Sequence, residues 1–249
     1  MKTLSIALFF AFSAGLLAAQ EQTEAISVSA FSKIVASPRV NVILEKGDKE
    51  SVRILYNKVP KDNVNVSVHG GKLKIYLDHA KVIEKQVRRY GDGEHTGKRG
   101  IYEGTSITAY VTFKELKAVE IRGESELRCD SEIKAEKFKL RAYGENEITF
   151  GSLQTTKFKA SLYGENELKI KGGETDRQVY RLFGENKVLT LGMKSATAAT
   201  RIYGEGRVRL TASDKVRVNA LGEPIIFVEG TSYISRGIIL GRADIRASR

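Results

Sequence analysis

The feature that most constrains this chain is a short motif that returns at nearly constant spacing through its second half. Each copy centres on a glycine followed by an acidic residue, as in Tyr143-Gly144-Glu145-Asn146. The copies lie 18 to 21 residues apart and are anchored by Gly123, Gly144, Gly164, Gly184, Gly204 and Gly222. A period of this size predicts stacked, equivalent units that each contact mainly their neighbours.

Apolar residues alternate on both sides of each glycine, for example Phe138 and Leu140 before Gly144 and Ile148 and Phe150 after it. A period of two predicts β-strands with one buried face and one exposed face. The Gly-Glu-Asn triplet interrupts this alternation with residue types that form tight corners. Each copy is therefore predicted to be a bend between two short strands.

Twenty residues are too few for two parallel strands joined by a helical crossover, and this region shows no helical period. We therefore predict an all-β fold, a parallel β-helix-like solenoid with coils of about 20 residues. Each strand would pair with its equivalent one coil away, at a spacing of ~4.8 Å. A propeller blade would need roughly 40 residues, and an antiparallel barrel would not need identical corners.

The first 19 residues have the pattern of a secretion signal. Lys2 is followed by an apolar run that ends in the small residues Ala18 and Ala19. We predict a Sec-type signal peptide over residues 1–19, with cleavage near Ala19. No Cys follows that site, which argues against a lipoprotein anchor, and no later apolar run reaches the ~18 residues of a membrane helix. The protein is predicted to be exported to the periplasm, outer surface or extracellular space.

The remaining chain divides by composition into three parts. Residues 20–77 predict N-terminal β-strands that cap the solenoid, with a hairpin at His69-Gly70-Gly71-Lys72. Residues 78–105 are rich in glycine and charge and predict a long, partly disordered surface loop. Residues 106–249 contain the repeats. The single cysteine, Cys129, occupies an inward position and is predicted to be a buried, inert thiol.

These features together resemble a known family. The segments that carry the resemblance are Phe31-Ser32-Lys33-Ile34, Gly70-Gly71-Lys72-Leu73-Lys74-Ile75, the glycine-cornered repeats and Gly222-Glu223-Pro224. They are similar to the putative auto-transporter adhesin, head GIN domain family of secreted bacterial proteins, whose members usually have Gly-Ser-Gly at these corners. The resemblance implies a right-handed β-helix-like fold related in shape to pectin lyases. It also implies a role in adhesion without recognised catalytic residues, and it transfers no binding residues.

The acidic residues that follow the glycines should form a row along one edge. They are Glu124, Glu145, Glu165, Glu185, Glu205 and Glu223. At about 5 Å, each neighbouring pair would cost roughly 1 kcal/mol in water. Two interpretations stay open for this Glu row. It could be a structural row offset by basic residues, or it could bind divalent cations or a cationic polymer. The candidate offsetting residues are Arg141, Arg181, Arg201, Lys187 and Arg207.

Two further rows follow from the same spacing. Asn146, Asn166 and Asn186 predict a ladder of amides that hydrogen-bond from coil to coil. An aromatic column should lie beside the Glu row and consists of Tyr143, Tyr163, Phe183 and Tyr203. Such a column usually stabilises neighbouring strands, but an exposed one would also suit the apolar faces of sugar rings. The candidate ligand surface therefore joins the aromatic column to Glu145, Glu165, Glu185 and Glu205.

Catalytic and metal-binding signatures are scarce. His69, His79 and His95 lack metal-ligand spacing and accompany no nucleophile motif. The segment Gly91-Asp92-Gly93-Glu94 lacks the strand and helix context of a nucleotide-binding loop. We predict no catalytic residue, no metal and no cofactor. The formal net charge of +11 could suit nucleic acid, but predicted export favours a polyanionic envelope or extracellular polysaccharide as partner.

The leading functional hypothesis is an exported, non-catalytic surface or adhesion protein. It would bind polysaccharide or another surface polymer through the flank of the solenoid. A first alternative is a polysaccharide lyase or hydrolase that uses Arg141 or Arg201 near Glu145 or Glu205. A second alternative is a purely structural periplasmic spacer.

Overall fold

The computed structural model describes residues 24–88 and 97–248, and this part of the chain is all-β. Its helical content is confined to the 3-10 turn Lys61–Asn63. Among these residues, no helix reaches the length and hydropathy that a membrane crossing requires. The predicted signal peptide, residues 89–96 of the predicted loop and therefore His95 lie outside the described residues.

Nine strands precede the repeats. They are β1 (Glu24–Ser27), β2 (Lys33–Ala36), β3 (Val40–Lys46), β4 (Ser51–Leu55), β5 (Val64–His69), β6 (Lys72–Leu77), β7 (Gln86–Arg88), β8 (Lys98–Gly100) and β9 (Ile107–Phe113). β5 and β6 pair antiparallel across the Gly70-Gly71 turn, so the predicted hairpin is present. β4 pairs antiparallel with both β1 and β9.

The repeats begin with one uninterrupted run of extended chain. The strands of this region are β10 (Ala118–Thr190), β11 (Met193–Tyr203), β12 (Gly206–Thr211), β13 (Lys215–Gly222), β14 (Ile225–Glu229), β15 (Tyr233–Gly241) and β16 (Asp244–Ser248). β10 alone contains 73 residues. At roughly 3.3 Å per residue a straight strand of that length would exceed 200 Å, so β10 must bend several times. Its bends include the positive-φ glycines Gly144 and Gly164.

Strands in the repeat region pair in parallel with the equivalent segment of the next repeat. Leu182 of β10 pairs with Ile202 of β11, and Val188 of β10 pairs with Val208 of β12. Ile202 in turn pairs with Ala220 of β13. These offsets of 20, 20 and 18 residues equal the spacings of the sequence motif. Fourteen strands belong to one curled sheet, and β7 and β8 form a separate two-stranded one.

The first half of the chain extends the same parallel ladders. β2 lies between β6 and residues 118–121 of β10, and β3 lies between β9 and residues 127–129 of β10. The antiparallel strands β5, β4 and β1 continue the two series outward from this end. Because an antiparallel partner hydrogen-bonds the backbone groups of a parallel edge strand, these additions cover the edges of β6 and β9.

A single apolar core runs through the described chain. Phe138, Phe150 and Phe158 are fully buried in it. The ring of Phe138 contacts Phe150 edge to face at 5.5 Å and stacks on Phe158 at 6.1 Å between centroids. Cys129 is fully buried, as its inward position predicts. Burial raises the pKa of its thiol to about 12, which keeps the reactive thiolate scarce at neutral pH.

The core also contains a polar cluster that apolar alternation does not predict. Gln178, Tyr180 and Thr190 occupy inward positions and are fully buried. The Tyr180 hydroxyl lies 2.5 Å from Gln178 Oε1 and 2.9 Å from Thr190 Oγ1. Gln178 Nε2 donates to the carbonyls of Met193 and Thr211 at 3.2 and 3.1 Å. These mutual hydrogen bonds offset the cost of burying polar groups.

The charged segment 78–105 is not wholly irregular, in contrast to its prediction as a long surface loop. It contains the antiparallel ribbon β7–β8, and its residues Ala80 and Tyr102 are buried. Glu84 anchors the segment because it accepts hydrogen bonds from Arg39 Nε at 3.0 Å and from the Tyr102 backbone N–H at 2.5 Å. These contacts join residues that are far apart in the sequence, so local apolar alternation does not indicate them.

Candidate functional site

The glycine corners fix the geometry of the candidate surface. Gly184 has a φ of +92°, a conformation that side chains disfavour. A Cβ at Gly184 would also lie 2.5 Å from the carbonyl oxygen of Gly164, the corner glycine one repeat earlier. The corners therefore stack backbone on backbone. The residues that flank them consequently recur at the same positions in successive repeats.

The predicted amide ladder is confirmed on the inner side of these corners. Asn146 Nδ2 donates to Asn166 Oδ1 at 2.8 Å, and Asn166 Nδ2 donates to Asn186 Oδ1 at 3.0 Å. All three side chains are buried. The ladder begins at Asn146, whose Oδ1 has no hydrogen-bond partner among the described residues. The preceding repeat has Ser125 at this position, and its hydroxyl bonds weakly to the Arg122 carbonyl at 3.4 Å.

The predicted aromatic column is also present. The rings of Tyr143, Tyr163, Phe183 and Tyr203 follow one another at centroid distances of 5.0, 4.9 and 4.7 Å, with interplanar angles of 6°, 8° and 5°. Tyr143 is 36% exposed and Tyr203 is 43% exposed. Because neighbouring rings cover one another's faces, the column presents mainly ring edges to solvent. This geometry differs from the open ring faces expected for sugar stacking.

The Glu row borders a groove of about 970 Å³ on the other side of the corners. Glu145, Glu165, Glu185 and Glu205 line it, and the Asn ladder also contributes to its wall. A second set of carboxylates lines the same groove, namely Glu126, Glu147 and Glu167. Lys187 and Arg207 are its basic lining residues. A strongly acidic groove therefore lies on a protein whose overall charge is strongly basic.

The Glu row is not offset by the arginines that the sequence suggested. Arg141 lies 3.5 Å from Glu120, and in the described part of the chain neither Arg181 nor Arg201 forms an ion pair with the row. These arginines belong to the strand segments before each glycine, and the corner separates them from the carboxylates that follow it. Lys187 does contribute, but it pairs with Glu167 of the second set at 3.0 Å.

A metal ion needs several ligands that converge on one point. Within residues 24–88 and 97–248, no group of three or more His, Cys, Asp or Glu side chains is placed to hold a metal ion. His69 ends β5 and His79 lies in a turn with a φ of +59°. Neither histidine lines the acidic groove, so neither adds a ligand to the Glu row.

Sequence inspection missed a basic face on the strand segments that precede the corners. Its outward positions carry Lys137, Lys139, Arg141, Lys157, Lys159, Arg177, Arg181, Arg201, Lys215 and Arg217. The parallel register aligns these positions, as the pairs Arg181–Arg201 and Thr197–Lys215 show. In the sequence these cations alternate with apolar residues. They form one face only because the parallel register aligns the repeats.

A cavity of about 610 Å³, lined by both apolar and charged side chains, lies at the end of the aromatic column nearest the N-terminal strands. Pro38, Val82, Ile83, Arg122 and Tyr143 contribute to its lining. Val82 is 59% exposed and Ile83 is 80% exposed, which is unusual for large apolar side chains. Both lie in the segment predicted to be a charged, glycine-rich surface loop, and no sequence pattern indicates that they lie beside the column.

Solved structures with the same fold share little sequence with this chain. The crystal structure of a putative adhesin from Bacteroides fragilis is 16% identical with a TM-score of 0.71, and the match covers 91% of this chain and 96% of that one. A putative adhesin from Parabacteroides merdae is 16% identical, with a TM-score of 0.66 and coverages of 92% and 96%. A putative lipid binding protein from Parabacteroides distasonis is 17% identical, with a TM-score of 0.60 and the same coverages.

Comparison with curated proteins yields no match. The sequence profile described as putative auto-transporter adhesin, head GIN domain, matches residues 30–232. This range includes β2 to β14, the glycine corners, the aromatic column and the Glu row. The chain therefore belongs to the putative auto-transporter adhesin, head GIN domain family.

Proposed function

We propose that this protein is an exported, non-catalytic adhesin that binds a polysaccharide or another surface polymer along the flank bearing the aromatic column. The observation that carries the proposal is the column itself, a strip of partly exposed, evenly spaced rings roughly 15 Å long. A repeating strip suits a repeating ligand, because each added unit of the polymer meets an equivalent set of side chains.

Hydroxyl-rich polymers fit the groups on this flank. The Glu row supplies carboxylate oxygens beside the rings, and carboxylates accept strong, charge-assisted hydrogen bonds from hydroxyl groups. The ring edges of Tyr143 and Tyr203 supply apolar contact area. The combination of aromatic surface and a few convergent polar groups is typical of ligand sites. It supports a glycan more than a purely apolar or purely charged polymer.

The non-catalytic role is supported by the family and by the arrangement of the charged residues. Two structural neighbours are described as putative adhesins. A lyase or hydrolase would require Arg141 or Arg201 to act beside Glu145 or Glu205. In the described part of the chain Arg141 pairs with Glu120, and Arg201 forms no ion pair with either carboxylate. Equivalent repeated positions also provide no single residue with the distinct environment that catalysis requires.

We also infer that the repeats form the right-handed, β-helix-like solenoid suggested by the sequence. The parallel pairing of each strand with its equivalent 18 or 20 residues away supports this architecture. So does the stacking of each corner glycine on the preceding one. Such an architecture would align the aromatic column, the Glu row and the basic face along one axis.

A second candidate function is binding of an apolar or lipid-like ligand in the cavity beside Val82 and Ile83. The exposed apolar side chains of Val82 and Ile83 in its lining favour this function, and one structural neighbour is described as a putative lipid binding protein. Titration with a fluorescent fatty acid tests it. Ile83→Asp should abolish saturable binding, and an unchanged affinity in that variant would exclude the cavity.

The proposed polymer binding is tested by screening the purified protein against immobilised polysaccharides. The double variant Tyr143→Leu/Tyr203→Leu should lose binding, and leucine fits this column because Leu221 occupies the aligned position opposite Tyr203. Tyr56→Leu/Tyr110→Leu is the matched control. These partly buried tyrosines lie beside β4 and on β9, which pair with each other, and β9 pairs further with β3 and not with the strand segments that carry the column. Equal losses in both double variants, or binding by neither the parent protein nor its variants, would contradict the proposal.

A further inference from the structure

We propose that the polymer is an acidic polysaccharide that lies along the aromatic column with its carboxylate groups turned toward the basic face. This inference rests on the proposed function, because it names the chemical class of the polymer bound at the same flank. It is carried by an arrangement of three parallel features. Cations lie on one side of the aromatic column, and the carboxylates of the Glu row lie on the other.

The cations of the basic face are aligned from one repeat to the next. Arg181 and Arg201 pair directly in the parallel register. Lys139 and Lys159 belong to equivalent positions of successive repeats, because the neighbouring Phe138 and Phe158 rings stack on each other. Rows of a sheet are ~4.8 Å apart. Like charges are therefore held close together in several successive rows.

The basic face has few counter-ions. Among the described residues, ion pairs to it come only from Glu120, which contacts Arg141, and Glu136, which contacts Lys137. Lys159 is surrounded by other basic side chains. Burial lowers the pKa of Lys159, and the charges of its basic neighbours, first among them Arg181, lower it further. An array of cations without matching carboxylates attracts an external polyanion.

The aromatic column lies between opposite charges. Arg141 and Arg181 come two residues before Tyr143 and Phe183, so they lie outward on the same strands. Glu145 and Glu185 come two residues after those rings, beyond the glycine corner. A polymer on the column would meet guanidinium groups along one edge and carboxylates along the other.

This asymmetry selects the chemistry of the ligand. Guanidinium groups bind carboxylates in planar, bidentate pairs, while the Glu row accepts hydrogen bonds from hydroxyls and repels anions. A chain of sugar acids presents carboxylates and hydroxyls together, so it can satisfy both edges. A nucleic acid or an anionic membrane would bring negative charge to both edges and would meet repulsion at the Glu row.

Three soluble polymers separate these requirements. Carboxymethyl cellulose has sugar rings and carboxylates, hydroxyethyl cellulose has sugar rings without charge, and poly-L-glutamate has carboxylates without sugar rings. Isothermal titration at near-physiological salt should show carboxymethyl cellulose bound at least tenfold more tightly than either of the other two. Raising the salt concentration should weaken that binding, since the exposed charges are then screened.

The arginines are tested by Arg181→Gln/Arg201→Gln, which should weaken binding of carboxymethyl cellulose by roughly tenfold. Uncharged polar residues fit these positions, because Asn219 occupies the aligned place opposite Arg201. The matched control is Lys169→Gln/Lys194→Gln, which removes the same charge from exposed positions elsewhere. It should leave the affinity within about twofold. Thermal unfolding of each variant verifies that the fold is retained.

The outcomes separate this inference from the function on which it rests. Equal binding of hydroxyethyl cellulose, lost in the column variant, would uphold polymer binding and overturn the acidic class. Equal binding of poly-L-glutamate, or equal losses in the arginine and lysine variants, would reduce the effect to ion exchange and overturn the inference. Tighter binding of DNA or anionic vesicles would overturn it as well. Failure of every polysaccharide to bind would overturn both proposals.

Discussion

At the scale of single residues, the corner glycines lie where an added Cβ atom would clash with the neighbouring repeat. Gly184 has a φ of +92°, and a Cβ there would lie 2.5 Å from the carbonyl oxygen of Gly164. Gly172 lies in the same extended run, has no positive φ and would place a Cβ 3.6 Å from the nearest oxygen, an ordinary contact. The two glycines therefore form a natural pair for comparison.

Gly184→Ala should lower the free energy of unfolding by about 3 kcal/mol, because backbone strain adds to a clash with backbone that cannot move aside. Gly172→Ala should change the free energy of unfolding by less than about 0.5 kcal/mol. Its Cβ makes only an ordinary contact, and alanine has less conformational freedom than glycine in the unfolded chain, which stabilises the folded state. Urea unfolding of both variants measures the difference. Equal effects would show that the corners tolerate a side chain.

The start of the amide ladder provides a stabilising substitution. Asn146 Oδ1 is buried without a partner among the described residues, and Ser125 occupies the ladder position one repeat earlier. Ser125→Asn should extend the ladder by one amide, whose Nδ2 would donate to Asn146 Oδ1. We expect a gain of about 1 kcal/mol in the free energy of unfolding. In a double-mutant cycle with Asn146→Ser the gain should vanish, and a gain that persists would assign it to another cause.

At the scale of elements, the parallel pairing implies that the sheet tolerates the loss of one whole repeat but not a shift in the register of its strands. Deleting residues 144–163 removes one full period and joins Tyr143 to Gly164, which restores the corner sequence. The shortened protein should keep a β-sheet circular dichroism spectrum and cooperative unfolding, because each repeat contacts mainly its neighbours.

Deleting residues 149–158 removes half a period and is the control. It would place strand positions opposite corners and disrupt the glycine row, so we expect loss of cooperative unfolding. Equal behaviour of the two deletions, in either direction, would contradict the repeat architecture. The comparison tests register separately from chain length, because the longer deletion is expected to be the milder one.

At the scale of the whole molecule, the two halves of the described chain are joined by strand pairing and not only by the segment between them. β3 pairs with β9 and β10, β2 pairs with β10, and β4 pairs with β9. The exposed ribbon β7–β8 carries basic residues, including Arg88 and Lys98, at its surface. Cleavage in this ribbon would leave all of those pairings intact.

Limited trypsin should therefore cut first between Lys85 and Arg99, and the two fragments should elute together in size-exclusion chromatography. They should separate only in denaturant, because several parallel and antiparallel ladders connect them. First cuts within the repeats would contradict the expected protection of that region. Dissociation of the fragments without denaturant would show that the interface between the halves is weak.

The sequence by itself determined the strands, the corners and the rows that follow from them. A constant period places like residues one above another in a parallel ladder, so Asn146 bonds to Asn166 and Tyr143 stacks on Tyr163. The inward position of Cys129 also followed from alternation alone. These features were predictable because each depends on local pattern and on a single repeated offset.

Only the tertiary structure decided which groups meet when they belong to different patterns. It paired Arg141 with Glu120 instead of the Glu row, and it buried Gln178 beside Tyr180 at positions expected to be apolar. It also brought Ile83 to the end of the aromatic column. The physical reason is that side-chain partners are chosen by distance in space. A repeat predicts that distance only between equivalent positions, whereas corners and long connections set it everywhere else.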